Sequence, residues 1–154
     1  MNVGQIHSRT LITVPASAPL SQAAQLMHDH HIGAVVVVKA PLDQPVAVGV
    51  ITDRDIVRAQ LERTSDLTRI RAEDVMTREP LVLEEAEPLD SAINKLRTRG
   101  VRRAPVVDAH GRLRGLISTD DVITHLATEL GSIARVLELQ PKREGDRASA
   151  SAAH

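Results

Sequence analysis

Apolar residues recur at the i, i+3, i+4, i+7 spacing of an amphipathic helix in two segments of the chain. The apolar positions are Leu20, Ala23, Ala24 and Met27 in the first segment, and Leu89, Ala92, Ile93 and Leu96 in the second. A proline, Pro19 or Pro88, precedes each segment in the same register. A shared offset of 69 residues, from Leu20 to Leu89, therefore predicts an internal repeat.

Each predicted helix is followed by two apolar segments with the length and composition of strands. These strands are predicted at residues 35–38 and 46–51 in the first copy, and at 104–107 and 113–117 in the second. A further helix is predicted after each pair, beginning near Asp53 and Thr119. The repeated unit is strand–helix–strand–strand–helix. One such unit is too small to bury its own apolar face, so two copies packed sheet to sheet with pseudo-twofold symmetry are expected, an α+β fold.

The repeat divides the chain into three predicted regions. The first repeat is expected at residues 1–66, the second at 67–131, and a C-terminal helix and disordered tail at 132–154. Residues 63–71 are polar and predict a linker. The apolar residues after Gly131 predict a short additional helix, whereas residues 141–154 are small, polar and charged, which is typical of disorder.

Composition excludes several classes of protein. The net charge is -1 and charged residues make up 25% of the chain, so nucleic acid is not expected as the main partner. The sequence has no cysteine, no apolar signal segment and no apolar run long enough to cross a membrane. The prediction is a cytoplasmic protein without membrane contact. The preference for arginine over lysine and the abundant alanine favour a GC-rich, bacterial genome.

The sequence has no phenylalanine, tyrosine or tryptophan. The core must therefore be built from aliphatic side chains and methionine, and a bound base cannot stack on an aromatic ring. The sequence also has no HExxH pair, no GxSxG elbow and no Walker phosphate loop. No catalytic residue is predicted, no cofactor is required, and the chain is not expected to be an enzyme.

Two matching segments end the repeated units. They are Gly49-Val50-Ile51-Thr52-x-x-Asp55 and Gly115-Leu116-Ile117-Ser118-x-x-Asp121. Both resemble the Gly-apolar-apolar-Thr/Ser-x-x-Asp pattern of the CBS (cystathionine-beta-synthase) domain family. Residues 100–108 and 74–76 are also similar to segments of that family. The resemblance covers roughly residues 3–128 and identifies the chain as a tandem CBS pair.

The resemblance implies clefts between the repeats that hold adenosine-containing ligands such as AMP, ADP, ATP or S-adenosylmethionine. Carried over, it assigns Thr52 and Asp55 to one cleft and Ser118 and Asp121 to the other. A carboxylate can accept hydrogen bonds from both ribose hydroxyls, and a hydroxyl with free amides at a helix start can receive phosphate oxygens. Backbone groups near residues 11–13 or 80–82 would contact the edge of the base.

By the same resemblance, Arg54, Arg102 and Arg103 are the candidates for binding phosphate, which suits the forked donors of arginine. The repeats differ at these positions. Arg54 is matched by Asp120, and Arg102 and Arg103 are matched by Gly33 and Ala34. The two clefts are therefore expected to bind ligand unequally.

Each of these motifs also has a purely structural interpretation. A Thr or Ser followed three residues later by an acid is close to a helix capping box. His28, His30 and His31 could bind a metal, although a solvated helix end is the more ordinary role, and no metal site is predicted. A solvated face is equally ordinary for the arginine run at residues 97–103.

The sequence thus leads to a stand-alone regulatory module that binds an adenine nucleotide or S-adenosylmethionine and signals to an unknown partner protein. The family resemblance implies a homodimer formed through the helices of the repeats. The alternative is a structural dimerisation or protein-docking module with no small ligand.

Overall fold

The computed structural model describes residues 1–39, 43–63 and 66–151, with side chains described up to residue 138. The chain forms two compact units, Met1–Thr119 and Asp120–His154. Pro41 belongs to the turn predicted between the strands at residues 35–38 and 46–51, and it lies outside the described residues.

The predicted order of elements is confirmed in both repeats, which makes the fold α+β. The first repeat contains β1 (Thr13–Pro15), α1 (Leu20–His30), β2 (Ala34–Lys39), β3 (Val46–Thr52) and α2 (Asp53–Glu62). The second contains β4 (Thr77–Arg78), β5 (Leu83–Glu84), α3 (Leu89–Arg99), β6 (Arg103–Val107), β7 (Leu113–Ser118) and α4 (Thr119–Ser151). Among the strands of the described residues, the short strand β4 has no counterpart in the sequence prediction.

The strands form two sheets, in the orders β1-β2-β3-β4 and β5-β6-β7. Strand β1 runs parallel to β2 and strand β5 runs parallel to β6, and β2 and β6 each form an antiparallel hairpin with the following strand, β3 or β7. Strand β4 comes from the second repeat but pairs with β3 of the first, placing Thr77 opposite Val50. Conversely, Ser8 bridges to Leu116 on β7. The segment leading into each repeat therefore pairs with the sheet of the other repeat.

A glycine of the repeated motif lies at each of these two pairings between a leading segment and the sheet of the other repeat. A Cβ added at Gly49 would overlap the side chain of Met76, and one added at Gly115 would overlap the Ser8 carbonyl oxygen and the His7 ring. Gly115 is needed because the Ser8 backbone passes directly over it, and Gly49 because the Met76 side chain packs directly against it. The glycine of the repeated motif thus has a packing role.

The first residues of the chain are held by the second repeat. The Val3 amide donates to the Glu87 carbonyl at 3.0 Å, and the Gly4 amide donates to the Glu85 carbonyl at 2.9 Å. Val3 is fully buried, and the buried His7 ring lies with Nε2 3.3 Å from Glu85 Oε1. The segment that leads into the first repeat is therefore bound to the second repeat from its first residues onward.

The core is aliphatic, as the composition requires. The largest cluster of buried apolar side chains lies in the first repeat and includes residues from the beginning of the second. It contains Val14, Ala16, Ala18, Leu20, Ala23, Met27, Val35, Val37, Ile51, Ile56, Ala59, Ile70, Ala72 and Met76. Valine predominates in β2, where every residue from Ala34 to Val38 is buried, because β-branched side chains suit a strand covered on both faces.

Helices α1 and α3 end in the same way. The residue after α1, His31, has φ 51°, and the residue after α3, Gly100, has φ 62°. In both cases the next amide donates to a carbonyl in the last turn, from Ile32 to Met27 at 3.0 Å and from Val101 to Leu96 at 3.1 Å. This left-handed termination is the usual way to satisfy the last carbonyls of a helix.

Residues 63–71 form more than a polar linker. They contain a short 3-10 helix, Leu67–Arg69, followed by Ile70, which is buried. The Ile70 carbonyl accepts a hydrogen bond of 2.7 Å from the Leu20 amide at the start of α1. Ile70 therefore belongs to the core of the first repeat.

The C-terminal region differs from the expectation of a short separate helix and a disordered tail. Helix α4 is continuous from Thr119 to Ser151, so Gly131 does not interrupt it and the tail is helical through Ser151. A single glycine costs a helix only about 1 kcal/mol, which the flanking alanine, leucine, glutamate and arginine residues offset. Residues 152–154 lie outside the described part of the chain.

Candidate functional site

The first motif forms the start of α2. Thr52 is the N-cap residue, and both its amide and its hydroxyl donate to Asp55 Oδ2 at 2.8 Å. The Asp55 amide in turn contacts Thr52 Oγ1 at 3.4 Å. Threonine at the N-cap and an acid at the third helical position explain why the helix begins here. The capping interpretation of this motif is confirmed.

Capping leaves part of the Asp55 carboxylate available. Both hydrogen bonds from Thr52 end on Oδ2, and Oδ1 accepts no hydrogen bond from the described residues. The side chain is half-buried, so one face still reaches solvent. Because a carboxylate offers about four lone pairs, Asp55 can cap the helix and accept hydroxyl groups of a ligand together.

Arg103, from the second repeat, reaches this part of the first repeat. A Cβ at Gly33 would lie 3.3 Å from Arg103 Nη2 and 3.6 Å from Asp53 Oδ2. Gly33 precedes β2, and its carbonyl accepts a hydrogen bond of 3.3 Å from the Asp53 amide. The absence of a side chain at Gly33 leaves room for the guanidinium. Arg103 therefore lies close to Gly33, which is hydrogen-bonded to the first residue of α2, and its contact with a ligand held by Thr52 and Asp55 remains a prediction.

Asp53 was missed in the sequence analysis. It occupies one of the unspecified positions of the motif, but its carboxylate, like the Arg103 guanidinium, borders the space left by Gly33, and it accepts a hydrogen bond of 2.8 Å from the Arg54 amide. An acid in the first helical turn also interacts favourably with the helix dipole. Only the presence of two acids in the first turn could have indicated it from sequence.

The other two arginines are exposed. The Arg54 side chain lies on the solvent side of the first turn of α2. Arg102 is exposed immediately before β6, and its carbonyl accepts a hydrogen bond of 2.9 Å from the Thr119 amide. Both lie near a motif in sequence, and their predicted phosphate contacts remain predictions.

The residues of the second motif are found in different compact units. Ser118 is the last residue of β7, where it pairs with Arg103 of β6, and it is half-buried. Asp121 lies in the first turn of α4, within the second unit, and is also half-buried. The predicted ligand contacts of both remain predictions.

The segments expected to contact a base, residues 11–13 and 80–82, lead into β1 and β5. The Ile12 carbonyl is already used by the sheet, since it accepts a hydrogen bond of 3.2 Å from the Val36 amide. Thr13 is the first residue of β1, and Val82, immediately before β5, is exposed. Contact of these segments with a base remains a prediction.

His28, His30 and His31 are exposed at the end of α1. Within the described ranges, no three histidine or acidic side chains come close enough to hold a metal ion. No described helix is both long and apolar enough to span a bilayer.

The family model of the CBS domain matches the chain twice, at residues 3–62 and 72–128. The chain belongs to the CBS domain family. The boundaries of both matches agree with the two repeated units of the fold, and together they cover most of the chain.

Solved CBS proteins share this fold. The CBS domain pair of protein MJ0100, in complex with 5'-methylthioadenosine and S-adenosyl-L-methionine, is 26% identical, with a TM-score of 0.73 over 84% of this chain and 98% of that one. The CBS-domain containing protein ATU1752 from Agrobacterium tumefaciens is 29% identical, with a TM-score of 0.70 over 81% and 98% of the two chains. Protein PAE2072 from Pyrobaculum aerophilum, complexed with AMP, is 26% identical, with a TM-score of 0.71 over 83% and 99%.

Curated relatives are longer than this chain. The uncharacterized protein MK0525 of Methanopyrus kandleri is 30% identical over 80% of this chain, which spans 61% of MK0525. The L-aspartate semialdehyde sulfurtransferase of Methanocaldococcus jannaschii is 28% identical over 78% of this chain, which spans only 22% of that enzyme. CBS pairs thus occur both in small proteins and as part of larger enzymes.

Proposed function

We propose that this chain is a regulatory CBS pair that binds an adenosine-containing ligand and signals its presence to a partner protein. The observation that carries the proposal is the arrangement before the start of α2, where Arg103 of the second repeat lies close to Gly33, whose carbonyl accepts from the first amide of the helix that Thr52 and Asp55 cap. The ligand complexes of MJ0100 and PAE2072 support the same class of ligand. The proposal assigns no catalytic role to the chain.

Each group at this helix start suits part of an adenine nucleotide. The free oxygen of Asp55 accepts a ribose hydroxyl, and the Arg103 guanidinium offers a forked donor to phosphate. Asp53 reduces the net positive charge beside Arg103, which favours a ligand with few phosphates. AMP, S-adenosylmethionine and ADP are therefore expected to bind more tightly than ATP.

A ligand that contacts both repeats can act as a signal. Arg103 belongs to β6 and Asp55 to α2, so one ligand bound by both residues stabilises a particular arrangement of the two repeats. A regulatory effect requires that the ligand bind two arrangements with different affinity. The partner protein would bind one of those arrangements preferentially, and a second copy of the chain is expected to pair through the helices of the repeats.

The first test uses the absence of aromatic residues. Because the chain contains no Phe, Tyr or Trp, ultraviolet absorbance of the purified protein in the purine band comes from a bound ligand. A stoichiometric purine released on denaturation would support the proposal, and mass spectrometry would identify it. If no purine is released, thermal-shift titration with AMP, ADP, ATP and S-adenosylmethionine follows. A ligand at 100 times its dissociation constant should stabilise the protein by about 2.7 kcal/mol.

Two variants separate ligand binding from helix capping. Asp55→Asn keeps an oxygen that can accept from Thr52 but removes the charge, so the ligand-free protein should lose less than about 1 kcal/mol of stability. Ligand affinity should fall on the order of 10- to 100-fold. Arg103→Ala should weaken phosphate-containing ligands by a similar factor, whereas Arg99→Ala, an exposed arginine at the end of α3, should not.

The capping bonds of Asp55 favour one alternative function. If capping is the whole role of this carboxylate, the chain is a structural module that pairs with other proteins without a ligand. That alternative predicts no purine in the purified protein and no thermal shift with any of the four ligands. Those two negative results together would overturn the proposed function.

A further inference from the structure

A groove lies between helix α3 and the segment that leads into β5. Its volume is about 580 Å³, which is within the range of sites that bind small molecules. Leu81 lines it from that segment, and the lining residues from α3 are Asp90, Ser91, Asn94, Lys95, Thr98 and Arg99. We call this cavity the α3 groove. All of its residues belong to the second repeat, so it is separate from the start of α2 in the first repeat.

The neutral polar groups of the groove suit the hydroxyl groups of a ligand. The Ser91 hydroxyl donates to Glu87 Oε1 at 2.7 Å, and its oxygen keeps lone pairs that can accept. The Thr98 hydroxyl donates to the Asn94 carbonyl at 2.8 Å and can accept in the same way. The Asn94 side-chain oxygen accepts a hydrogen bond of 3.4 Å from Arg97 Nη2, which leaves the amide nitrogen to donate. A hydroxyl group both donates and accepts, so it matches this combination.

The two ends of the groove differ in charge. Asp90 lies in the first turn of α3, and Arg99 is the last residue of the helix, about 13 Å further along its axis. Between them, Lys95 Nζ lies 2.7 Å from Glu87 Oε1, and this carboxylate offsets the charge of Lys95. Arg99 is exposed, and its guanidinium forms no hydrogen bond or ion pair with the described residues. The lining of the groove thus offers one unpaired cation, at the end opposite Asp90.

This distribution of charge selects a ligand with a single carboxylate. One guanidinium can bind a carboxylate through two parallel hydrogen bonds. Side chains of a helix lean toward its N-terminus, so Arg99 reaches back along the groove toward Asn94. At the other end the Asp90 carboxylate accepts hydrogen bonds from hydroxyl groups and repels a second negative charge. A short carbon chain with one carboxylate and several hydroxyl groups satisfies both ends and the middle.

The backbone beside the groove is strained. Glu79, two residues before Leu81, has φ 49° although it is not a glycine, and its side chain is exposed. Left-handed residues with a side chain are uncommon and concentrate at functional sites. Glu79 also separates β4, which pairs with β3 of the first repeat, from β5, which pairs with β6 of the second. A ligand that packs against Leu81 therefore contacts the segment that joins the two sheets.

We propose that the α3 groove binds a sugar acid, a polyhydroxylated monocarboxylate. Arg99 binds the carboxylate, the polar groups of Asn94 and Asp90 bind hydroxyl groups, and Leu81 packs against the carbon chain. This inference goes beyond the proposed adenosine-binding function and does not depend on it. The chain would thereby carry a second ligand site, built within the second repeat alone.

Titration of the full, isotope-labelled chain with D-glucuronate and D-gluconate, followed by amide NMR spectra, locates the site directly. Both should shift the amide signals of Leu81 and of α3, with a dissociation constant below about 1 mM. Three matched probes each lack one feature of the ligand: D-glucose has no carboxylate, acetate has no hydroxyl groups, and D-glucose 6-phosphate has a second charge. Each should bind at least about 10-fold more weakly. The proposal fails if neither sugar acid shifts these signals at about 10 mM.

A pair of charge-matched variants tests the residue that binds the carboxylate. Arg99→Ala should weaken D-glucuronate binding on the order of 10-fold or more, because it removes the unpaired cation of the groove. Arg58→Ala removes the same charge from an exposed position on α2 and should leave the affinity unchanged. Both positions are exposed on helices, so both variants should fold. An equal loss of affinity in the two variants would mean that only overall charge matters, and would overturn the proposal.

A third variant separates the groove from the proposed adenosine site. Arg103→Ala should leave D-glucuronate binding intact, whereas Arg99→Ala should leave the thermal shift with AMP intact. Loss of D-glucuronate binding in Arg103→Ala, with Arg99→Ala unaffected, would assign the sugar acid to the space beside Gly33 and overturn the groove. The purine and thermal-shift measurements decide the adenosine function independently of this result.

Discussion

His31 has a left-handed backbone conformation that its counterpart in the second repeat, Gly100, adopts without a Cβ. A left-handed conformation costs a residue with a side chain about 1–2 kcal/mol relative to the right-handed one. The His31 side chain is exposed, so no buried contact compensates for this cost. The two repeats therefore solve the same helix termination with unequal strain.

His31→Gly should stabilise the protein by about 0.5–1 kcal/mol, because the relief of strain exceeds the added flexibility of the unfolded chain. Gly100→Ala should have the opposite effect, with a loss of about 1 kcal/mol. Both can be measured by urea denaturation followed by far-ultraviolet circular dichroism, since the chain has no aromatic fluorophore. Equal stability of wild type and His31→Gly would mean that His31 has a stabilising contact elsewhere.

Single residues of the site were only partly predictable. Thr52 and Asp55 could be named because capping and ligand contact demand the same residue types at the same spacing. Asp53 could not, because its importance depends on Arg103, which is distant in sequence. Spacing along one segment contains no information about a side chain that arrives from another repeat.

At the level of elements, Glu87 holds the beginning of α3. Its carboxylate accepts a hydrogen bond of 2.7 Å from the Ser91 hydroxyl and lies 2.7 Å from Lys95 Nζ. Burial raises the pKa of the Glu87 carboxyl, but the hydrogen bonds from Lys95 and Ser91 and the charge of Lys95 outweigh it, so the pKa is lowered. The carboxylate is therefore favoured over the acid in the folded protein.

Because the pKa of Glu87 is lowered in the folded state, its ionisation stabilises the protein at pH values above the ordinary pKa of 4.5. This stabilisation is lost as the pH falls through the pKa of the folded state. Glu87→Gln should cost about 1 kcal/mol near neutral pH, because Lys95 is half exposed and its interaction is screened. The difference from wild type should disappear in acid. Glu84→Gln, an exposed neighbour, is the control, and a constant difference at every pH would contradict the role given to Glu87.

The two motif glycines, Gly49 and Gly115, are expected to differ in how much stability the protein loses when each is replaced by alanine. Gly115→Ala should destabilise the protein by about 1–3 kcal/mol, because the new methyl group would overlap the Ser8 backbone, which cannot move without breaking its pairing with Leu116. Gly49→Ala should cost less, since the Met76 side chain is flexible. Denaturation of both variants tests the order, and a larger loss in Gly49→Ala would refute this explanation.

The helices and long strands were predictable because each has its own apolar period. Strand β4 was not, because two residues are too few to show a period and its partner lies in the other repeat. Helix α4 was interpreted as two pieces because Gly131 was taken as a stop. A Cβ added at Gly131 would meet no neighbouring atom within 4 Å, and the helix continues through this residue without interruption.

At the level of the whole molecule, the stability of the two repeats is linked, because the segment leading into each repeat pairs with the sheet of the other. Val3 is buried against the second repeat and belongs in sequence to the first. Val3→Ala should therefore lower the stability of the protein by about 2 kcal/mol. Val46→Ala, which removes the same two methyl groups from an exposed position, should change it by less than about 0.5 kcal/mol.

This prediction also tests whether the repeats unfold as one unit. Circular dichroism of Val3→Ala should show a single transition shifted to lower urea concentration with an unchanged slope. Two separate transitions would show that the second repeat can unfold while the first remains folded. The repeat pattern in the sequence predicted two similar units, but not which segment completes which sheet.

The exchange of leading segments has a consequence for biosynthesis. Residues 1–8 leave the ribosome early, yet Ser8 pairs with Leu116 on a strand made about a hundred residues later. During that interval the first repeat can close β1, β2 and β3, but it also lacks β4. A nascent chain halted after residue 66 therefore presents the unpaired edge of β3 together with an unpaired N-terminal segment, which makes it a natural target for chaperones.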